Sequence, residues 1–289
     1  MAICLAPYCR FLTLCLFVFG GLVHIFLSPH FDDAVFSCGS HIADLVRAGE
    51  SVLIFTVMAA PAPPDFKPSF LTRRFHNRWK VNGDTVTTIR RDEDSAAARM
   101  LGAQVAFGPF ADSPYRLNPR TKKPLYPSFR SLKGAIQADD AAAQLSNPST
   151  IDRFLTVLGA KPGDTLYAPL AVGKHVDHQV VRNMGRALAT HFPQYSTRFY
   201  EDYPYIVKGA HEIPQIIAGL GFRTVRVVNK VSDAAVEAKI AAIACYKSQL
   251  TSFWRDIEHM QHEMHSYMAR YGEAEWQASQ AALQPLPML

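Results

Sequence analysis

Short apolar runs recur along the chain, and most are followed by a polar turn and then an amphipathic stretch. Three of them are typical of buried strands in a parallel sheet, namely Leu22–Leu27, Ser51–Met58 and Gly163–Leu170. Further strands are predicted at Gln104–Gly108, at Thr197–Tyr205 and, as a half-exposed edge strand, at Phe222–Val228. Helices are predicted at Ala34–Arg47, Arg90–Leu101, Ser149–Leu158, Gln179–Thr190 and Ala234–Gln249. The alternation of strands and helices predicts an α/β fold with a mostly parallel sheet.

The first apolar run stops at Ser28-Pro29 and is followed by three side chains that can bind a metal. These are His30, Asp32 and Asp33, and a helix begins directly after them. Open α/β sheets place their chemistry at such strand ends, and imidazole with carboxylate suits zinc. The alternative is an ordinary turn in which one Asp caps the helix, but this explains neither the second Asp nor the His.

The predicted strand at Gly163–Leu170 is likewise followed by side chains that can bind a metal. It leads into a glycine-containing loop, after which His175-Val-Asp177-His178 opens a helix. Because two parallel strands can place their ends side by side, His30, Asp33, His175 and His178 can meet, with Asp32 and Asp177 in reserve. A catalytic zinc usually keeps three protein ligands and one open position, so these groups suffice for a metal, an acid and a base.

With these two motifs the chain resembles the PIG-L/LmbE-like family of zinc-dependent N-acetylglucosaminyl deacetylases. The family's mark is a His-x-Asp-Asp turn after the first strand and a later His-x-x-His. Weaker likenesses are Arg90-Arg91-Asp-Glu93-Asp94 at a helix start and Tyr246-Lys-Ser248-Gln249, so the resemblance spans about Leu22 to Phe253. Two positions depart from it: Ala34 where many members are acidic, and Gly173 where some carry a Tyr.

The resemblance implies a Rossmann-like three-layer sandwich with helices on both faces of the sheet. It implies one zinc ion per chain, with iron as an alternative, held by His30, Asp33 and His178. Asp32 would be the general base, and protonated His175 would stabilise the oxyanion. Exchanged roles for the two histidines, or Asp177 as a ligand, remain open.

Two segments are expected to face the substrate, near residues 59–88 and 109–145. In the first, a proline-rich stretch precedes Phe70–Thr88, which is predicted as a substrate-facing loop or lid, with a solvated surface loop as the alternative. Arg91 (or Arg90) and Asp112 are candidate substrate contacts, with ion pairing at the helix start as the alternative for the arginines. Two further predictions concern acidic residues. Asp139-Asp140 are predicted as helix N-terminal acids. Glu201 or Asp202 is predicted as a partner of a ligand histidine, a substrate contact or a strand-end cap.

The composition of the chain excludes several other classes of protein. At 289 residues and 48% hydrophobic, the chain can bury a large core, predicted as one domain over residues 21–289. A net charge of +5 without interleaved basic and aromatic residues predicts no nucleic-acid binding. Five cysteines without a Cys-x-x-Cys favour reduced thiols and a cytoplasmic protein. The cluster His259, His262 and His265 is predicted to lie on a solvated or packing helix face.

Residues 1–20 form an apolar N-terminal extension that resembles a signal or an anchor. A membrane-associated protein using residues 1–27 is therefore the alternative to a cytoplasmic one. A membrane segment and the first strand cannot both use Leu22–Leu27, however, so membrane contact through the N-terminus is not favoured. An extra apolar tail or an upstream start is the preferred interpretation.

The predicted function is the removal of an acetyl group from an N-acetylated amino sugar of the N-acetylglucosamine type, or from its conjugate. The residues themselves indicate only a hydrolase with a metal-activated water, and the sugar is implied by the resemblance. One alternative is a metal-dependent amidase acting on a thiol–sugar conjugate or a secondary-metabolite intermediate. Another is a catalytically silent, membrane-tethered binding protein, against which the complete set of His and Asp residues argues.

Overall fold

The computed structural model describes residues 20–64, 66–81 and 85–278. Seven strands form one sheet in the order β3-β2-β1-β4-β5-β7-β6. The strands are β1 Val23–Ser28, β2 Ser51–Thr56, β3 Gln104–Phe107, β4 Thr165–Pro169, β5 Ser196–Tyr200, β6 Thr224–Asn229 and β7 Glu273–Ala278. The α-helices are α1 Asp33–Arg47, α2 Phe70–Trp79, α3 Val86–Leu101, α4 Phe129–Leu132, α5 Pro148–Leu158, α6 Val176–His191, α7 Ile206–Gly209, α8 Ile213–Leu220, α9 Asp233–Ile243, α10 Lys247–Phe253 and α11 Ile257–Arg270. Short 3₁₀ helices lie at Ser113–Tyr115, Ala141–Ser146 and Ala210–Glu212.

The first five strands are parallel, and β7 and β6 add an antiparallel edge. From β1 the chain moves outward to β2 and β3, and then returns to the other side of β1 with β4. Right-handed crossovers in these two directions place their helices on opposite faces of the sheet. Accordingly α1, α3 and α9 pack together, and α5 and α6 pack separately with the 3₁₀ helix Ala141–Ser146. The predicted α/β fold with a mostly parallel sheet is confirmed.

The strand β1 lies in the middle of the sheet, and its side chains Ile25, Phe26 and Leu27 are almost completely buried. Val23 to Ser28 are therefore strand residues, and an N-terminal membrane span cannot include them. None of the helices in the described parts of the chain is long and apolar enough to cross a membrane. The predicted extension falls almost wholly outside the described residues, which begin at Gly20, so the division into residues 1–20 and 21–289 stays a prediction.

Several predicted elements differ from those observed. The predicted loop at Phe70–Thr88 contains the helix α2, whose N-cap Ser69 accepts a hydrogen bond from the backbone N–H of Thr72. The helix α5 is preceded by Asn147 rather than by Ser149 or Thr150, because Pro148 occupies its first turn, where the missing N–H costs nothing. The strand β7 is absent from the predicted elements.

The single helix predicted at Ala234–Gln249 is two helices, α9 and α10. The chain turns between them at Tyr246, whose hydroxyl donates to buried Asp94 over 2.6 Å. Just beyond the turn, the backbone N–H and hydroxyl of Ser248 both donate to Glu93. Glu93 and Asp94 of α3 thus hold the interruption in place. Local helix propensity does not indicate such an interruption.

Candidate functional site

The structure brings the two predicted metal motifs together, because β1 and β4 are neighbouring parallel strands. The order of the sheet reverses at this pair, and open α/β sheets bind ligands at such a point. The ring of His30 lies 4.9 Å from that of His175 and 5.4 Å from that of His178. One site is therefore built from both strand ends.

Local hydrogen bonds fix the backbone conformation of both metal motifs. The hydroxyl of Ser28 donates to the carbonyl of His30 and accepts from the N–H of Ala34, which closes the turn before α1. The N–H of His30 donates to Asp33 Oδ2 over 2.9 Å. In the second motif His175 is the N-cap of α6, and its Nδ1 accepts from the N–H of Asp177. These bonds turn the His and Asp side chains towards one point.

Three of the side chains are arranged as a metal ion would require. Asp33 Oδ2 lies 3.0 Å from His30 Nδ1 and 3.2 Å from His178 Nε2. Two ligands that each lie about 2.0–2.1 Å from a tetrahedral zinc are about 3.3 Å apart, so these spacings fit a shared ion. His178 Nε2 is buried, and its 3.2 Å contact with Asp33 Oδ2 does not have the geometry of a hydrogen bond, so this nitrogen makes no hydrogen bond among the described residues. A buried polar atom left without a partner is unusual, and a metal would satisfy it.

His30 and His178 each contact a second carboxylate through the ring nitrogen that does not face Asp33. His30 Nε2 lies 3.0 Å from Asp177 Oδ2, and His178 Nδ1 lies 2.6 Å from Asp202 Oδ1. Such carboxylates orient metal-binding histidines and select the tautomer. Of the two acids considered at the end of β5, Asp202 therefore contacts the histidine, while Glu201 accepts hydrogen bonds from Arg226 and Trp276 instead.

The electrostatics of the site also favour a bound cation. Burial alone would lower the pKa values of His30 and His178, yet surrounding carboxylates raise both of them, that of His178 to about 9. Asp112 and Asp33 are the main contributors at His30 and His178, respectively. The donor set of imidazoles and carboxylates thus fits a metal ion such as zinc.

Other combinations of ligands are geometrically close. The ligand atoms of His30, His175 and His178 all lie within 4.8 Å of one another, as do those of His30, Asp112 and Asp177. Asp177, however, is already engaged at both oxygens, by Arg116 at Oδ1 and by the N–H of Ser113 at Oδ2. This engagement favours an orienting role for Asp177 over direct coordination.

His175 differs from the expectation of a protonated imidazole. Burial and the neighbouring His30 lower its pKa to about 3, so the ring is neutral near pH 7. Since its Nδ1 accepts the N–H of Asp177, its Nε2 carries the proton and can donate it in a hydrogen bond. A neutral His175 can still stabilise a developing oxyanion as a hydrogen-bond donor, so these surroundings favour a neutral donor over the predicted protonated form.

Asp32 lies beside the metal-binding cluster but has different partners. Burial raises its pKa to about 6, although Arg90, whose Nη2 is 3.5 Å from Asp32 Oδ1, opposes this rise. Asp32 is therefore ionised near neutral pH and remains basic enough to accept a proton.

A cavity of about 210 Å³ opens above these groups. Its lining combines the polar groups of the two metal motifs with aromatic, apolar and further polar side chains. The lining residues are His30, Asp32, Asp33, Phe75, Arg78, Trp79, Arg90, Asp112, Pro114, Phe129, Leu132, Lys133, His175, Tyr205, Gln249, Ser252 and Phe253.

The two candidate substrate residues have different positions. Asp112 lines the cavity, with Oδ1 3.4 Å from His30 Nε2. Arg91 does not line it, because its guanidinium donates to the carbonyl of Ala59 over 2.8 and 3.1 Å. Arg90 lies in the cavity instead, between the rings of Phe31 and Trp79. The structure thus places Arg90, the other member of the predicted pair, at the cavity, whereas Arg91 is turned towards a backbone carbonyl.

Several groups at the site were not found from the sequence. Tyr205 lines the cavity, and its ring approaches Gly173 so closely that a Cβ there would lie 3.0 Å from Tyr205 Cδ1. Arg116 binds Asp177 from the segment after β3. No spacing signal could have revealed these contacts, because each joins residues far apart in the chain.

Comparison with known proteins agrees with this geometry. Residues 25–189, more than half of the chain, match the PIG-L family, described as GlcNAc-PI de-N-acetylase. The chain belongs to this family. The predicted family, and the prediction that the chain is a deacetylase-type amide hydrolase, are confirmed.

Two curated relatives are 2'-N-acetylparomamine deacetylases. The one from Niallia circulans is 28% identical over 236 residues, which are 78% of this chain and 80% of that protein. The one from Streptomyces fradiae is 31% identical over 185 residues, covering 63% of this chain and 57% of that protein.

Similar solved structures are also deacetylases. The zinc-inhibited form of teicoplanin deacetylase Orf2 has a TM-score of 0.72 at 28% identity, covering 89% of this chain and 98% of that one. The A40926 pseudoaglycone deacetylase Dbv21 has a TM-score of 0.65 at 26% identity, covering 90% and 97%.

Proposed function

We propose that this protein uses a zinc ion held by His30, Asp33 and His178 to remove the acetyl group from an N-acetylated amino sugar carried on a larger conjugate. The observation that carries the proposal is the convergence of these three side chains. Asp33 Oδ2 spans His30 and His178 at ligand-like distances, and His178 Nε2 is buried without a hydrogen-bond partner among the described residues. A zinc ion in this position supplies a Lewis acid that polarises the amide carbonyl and lowers the pKa of water.

The surrounding residues supply the proton transfers. Asp32 accepts a proton from the water that attacks the acetyl carbon, since its carboxylate lines the cavity and has a pKa of about 6. Neutral His175 donates a hydrogen bond from Nε2 to the acetyl oxygen as that oxygen gains negative charge. When the carbon–nitrogen bond breaks, the proton on Asp32 passes to the leaving amine, and acetate is released.

Tyr205 is a second donor to the acetyl oxygen. Burial and the nearby Asp33 raise the pKa of its phenol, so the hydroxyl keeps its proton. This hydroxyl has no hydrogen-bond partner among the described residues, and the ring stands edge-on to His178 at 5.5 Å between centroids. The donor is therefore available at the cavity wall for a substrate.

The volume of the cavity indicates which part of the substrate it encloses. About 210 Å³ is less than the roughly 300–1,000 Å³ of pockets that enclose drug-sized ligands, so the enclosed part suits a single sugar. Asp112 and Arg90 can bind its hydroxyl groups. The remainder of the conjugate lies on an aromatic rim, defined here as Phe75, Trp79, Phe129 and Phe253. Relatives named for acetylparomamine, teicoplanin and the A40926 pseudoaglycone support an amino sugar within a larger molecule.

The test combines metal content with acetate release. We expect about one zinc per wild-type chain and none in a His30→Ala/His178→Ala double variant. The wild type should release acetate from N-acetylglucosamine and from an aryl N-acetylglucosaminide, and the double variant from neither. His262→Ala is a matched control, because His262 is exposed on α11.

Absence of metal in wild-type protein after incubation with zinc or iron would contradict the proposal. So would zinc binding without any acetate release from either compound, which would favour a silent binding protein instead.

A further inference from the structure

We propose that Arg116 is a positioning residue for the metal centre: by holding Asp177, it fixes the tautomer of His30 and so sets the affinity of the site for zinc. The inference rests on the proposed function, because it takes His30 as a zinc ligand. Arg116 lies in the segment after β3, outside both metal motifs, and does not line the cavity.

Arg116 is buried between two carboxylates. Its Nη2 contacts Asp177 Oδ1 and lies 3.1 Å from Asp140 Oδ2. Its guanidinium also lies over the ring of Tyr126, 5.4 Å from the centroid, and the residue is only 8% exposed. One arginine therefore neutralises two buried acids, and without it Asp140 would keep only neutral donors and Asp177 would keep only its contacts with His30 and Ser113.

The contacts of Asp177 connect Arg116 to His30. Arg116 occupies Oδ1, so Oδ2 is left for the N–H of Ser113 and for His30 Nε2, each at 3.0 Å. Both ring nitrogens of His30 face a carboxylate oxygen at 3.0 Å, Nδ1 that of Asp33 and Nε2 that of Asp177. A zinc ion shared with Asp33 and His178 would take the lone pair of Nδ1 and leave the ring proton on Nε2, where Asp177 accepts it. Nδ1 is thus the nitrogen available to zinc.

Arg116 is itself held in place by its surroundings. Asp140 accepts hydrogen bonds from the hydroxyl of Tyr126 over 2.7 Å and from the N–H of Ala142 over 3.0 Å. The Tyr126 hydroxyl accepts in turn from the N–H of Gln137. The ring of Tyr126 packs in a small buried cluster that contains Val176, the residue before Asp177. The segment of residues 109–145 is therefore fastened directly to the second metal motif.

The first test measures zinc affinity in the absence of substrate, by competition with a chelator of known affinity. Arg116→Met should weaken zinc binding by about tenfold, the lower end of the loss usual for a partner that contacts a metal ligand, because Arg116 acts on His30 through Asp177. Arg116→Lys keeps the charge but cannot serve both acids in the same geometry, so an intermediate loss is expected.

Arg198→Met is the matched control. Arg198 pairs with Glu275 at 2.6 Å, is partly buried and does not line the cavity. This variant should lower the melting temperature without changing zinc affinity. Zinc binding by Arg116→Met within about twofold of wild type would overturn the inference, since a role in stability alone would leave zinc affinity unchanged.

The second test needs no variant and therefore does not depend on whether one folds. In ¹⁵N spectra of zinc-loaded wild type, His30 should show a protonated Nε2 and a metal-bound Nδ1. Zinc on Nε2 would overturn the inference while leaving the proposed deacetylase intact. A wild type that binds no zinc would instead overturn the proposed function, and this inference with it.

Discussion

The position of Gly173 explains how this chain accommodates a tyrosine at the cavity wall. Its φ of 80° favours glycine, and any side chain there would meet the ring of Tyr205. The sequence alone suggested that Gly173 removes a phenol that some relatives carry at this position. In the structure the phenol of Tyr205, from the segment after β5, lines the cavity, so a hydroxyl is present at this wall from a residue far away in sequence.

Removing that hydroxyl should affect chemistry and leave the metal in place. Tyr205→Phe is expected to lower kcat on the order of 100-fold, the effect of losing one donor to an oxyanion, with zinc content unchanged. Steady-state kinetics with elemental analysis would measure both. Tyr271→Phe, a change at an exposed tyrosine, should leave both values as they are. An unchanged kcat in Tyr205→Phe would exclude Tyr205 from the reaction.

Asp32 and Asp33 are neighbours with separate predicted tasks, and matched variants distinguish them. Asp33 lies against His30 and His178, whereas Asp32 lies against Arg90. Asp32→Asn should lower turnover at least about 100-fold, as loss of a general base does, with zinc still bound. Asp33→Asn should lose zinc. Zinc analysis and acetate release on both variants give the answer, and the opposite pattern would mean that the two roles are exchanged.

The interruption between α9 and α10 shows what helix propensity cannot predict. Asp94 of α3 accepts hydrogen bonds from Thr56 of β2 and from Tyr246 at the interruption, both over 2.6 Å. A strand and two helical segments therefore meet at one buried carboxyl group. Burial raises the pKa of this group to about 8. The run of helix-forming residues is visible in the sequence, but this distant hydrogen bond, which ends it, is not.

The raised pKa of Asp94 gives stability a definite dependence on pH. An unfolded chain releases this proton near pH 4, whereas the folded protein keeps it up to about pH 8. Unfolding between these values releases a proton, so the free energy of unfolding should fall as pH rises, by up to about 1.4 kcal/mol per pH unit from this group. Below about pH 4 the contribution is fully present.

Asp94→Asn cannot titrate and should remove that part of the pH dependence. Urea unfolding of both proteins at about pH 5 and about pH 8 measures it, with the variant expected to lose less stability across the interval than wild type. Tyr246→Phe, which keeps the carboxyl, should retain a pH dependence of the wild-type sign. Equal slopes for Asp94→Asn and wild type would show that Asp94 is ionised throughout.

The molecule as a whole shows which features local sequence determines. The sheet, its central apolar strands and the edge strand β6 follow from apolar runs, and the metal motifs follow from their positions at strand ends. Contacts across the fold are different, since Arg116 and Asp177 are 61 residues apart and Arg91 turns away to a backbone carbonyl. Spacing indicates which edge of the sheet a residue occupies, but only packing decides where its side chain points.

The aromatic rim is also a property of the whole chain. Phe75 and Trp79 lie on α2, Phe129 on α4 and Phe253 on α10, and these three helices surround one opening. Phe75 stacks on Trp79 at 5.2 Å between centroids and meets Phe129 edge-on at 5.4 Å. Phe129 and Phe253 remain 46% and 38% exposed, so apolar area is available at the mouth for a substrate group to cover.

If this rim binds the part of the conjugate beyond the sugar, Phe129→Ala should discriminate between substrates. The value of kcat/KM for an aryl N-acetylglucosaminide should fall by about tenfold, consistent with losing roughly 1.5 kcal/mol of apolar contact. The value for free N-acetylglucosamine should fall less, because the free sugar does not reach the rim. Phe70→Ala is the control, since Phe70 is 76% exposed and does not line the cavity. Equal losses for both substrates in Phe129→Ala would mean that the rim supports the cavity without binding the conjugate.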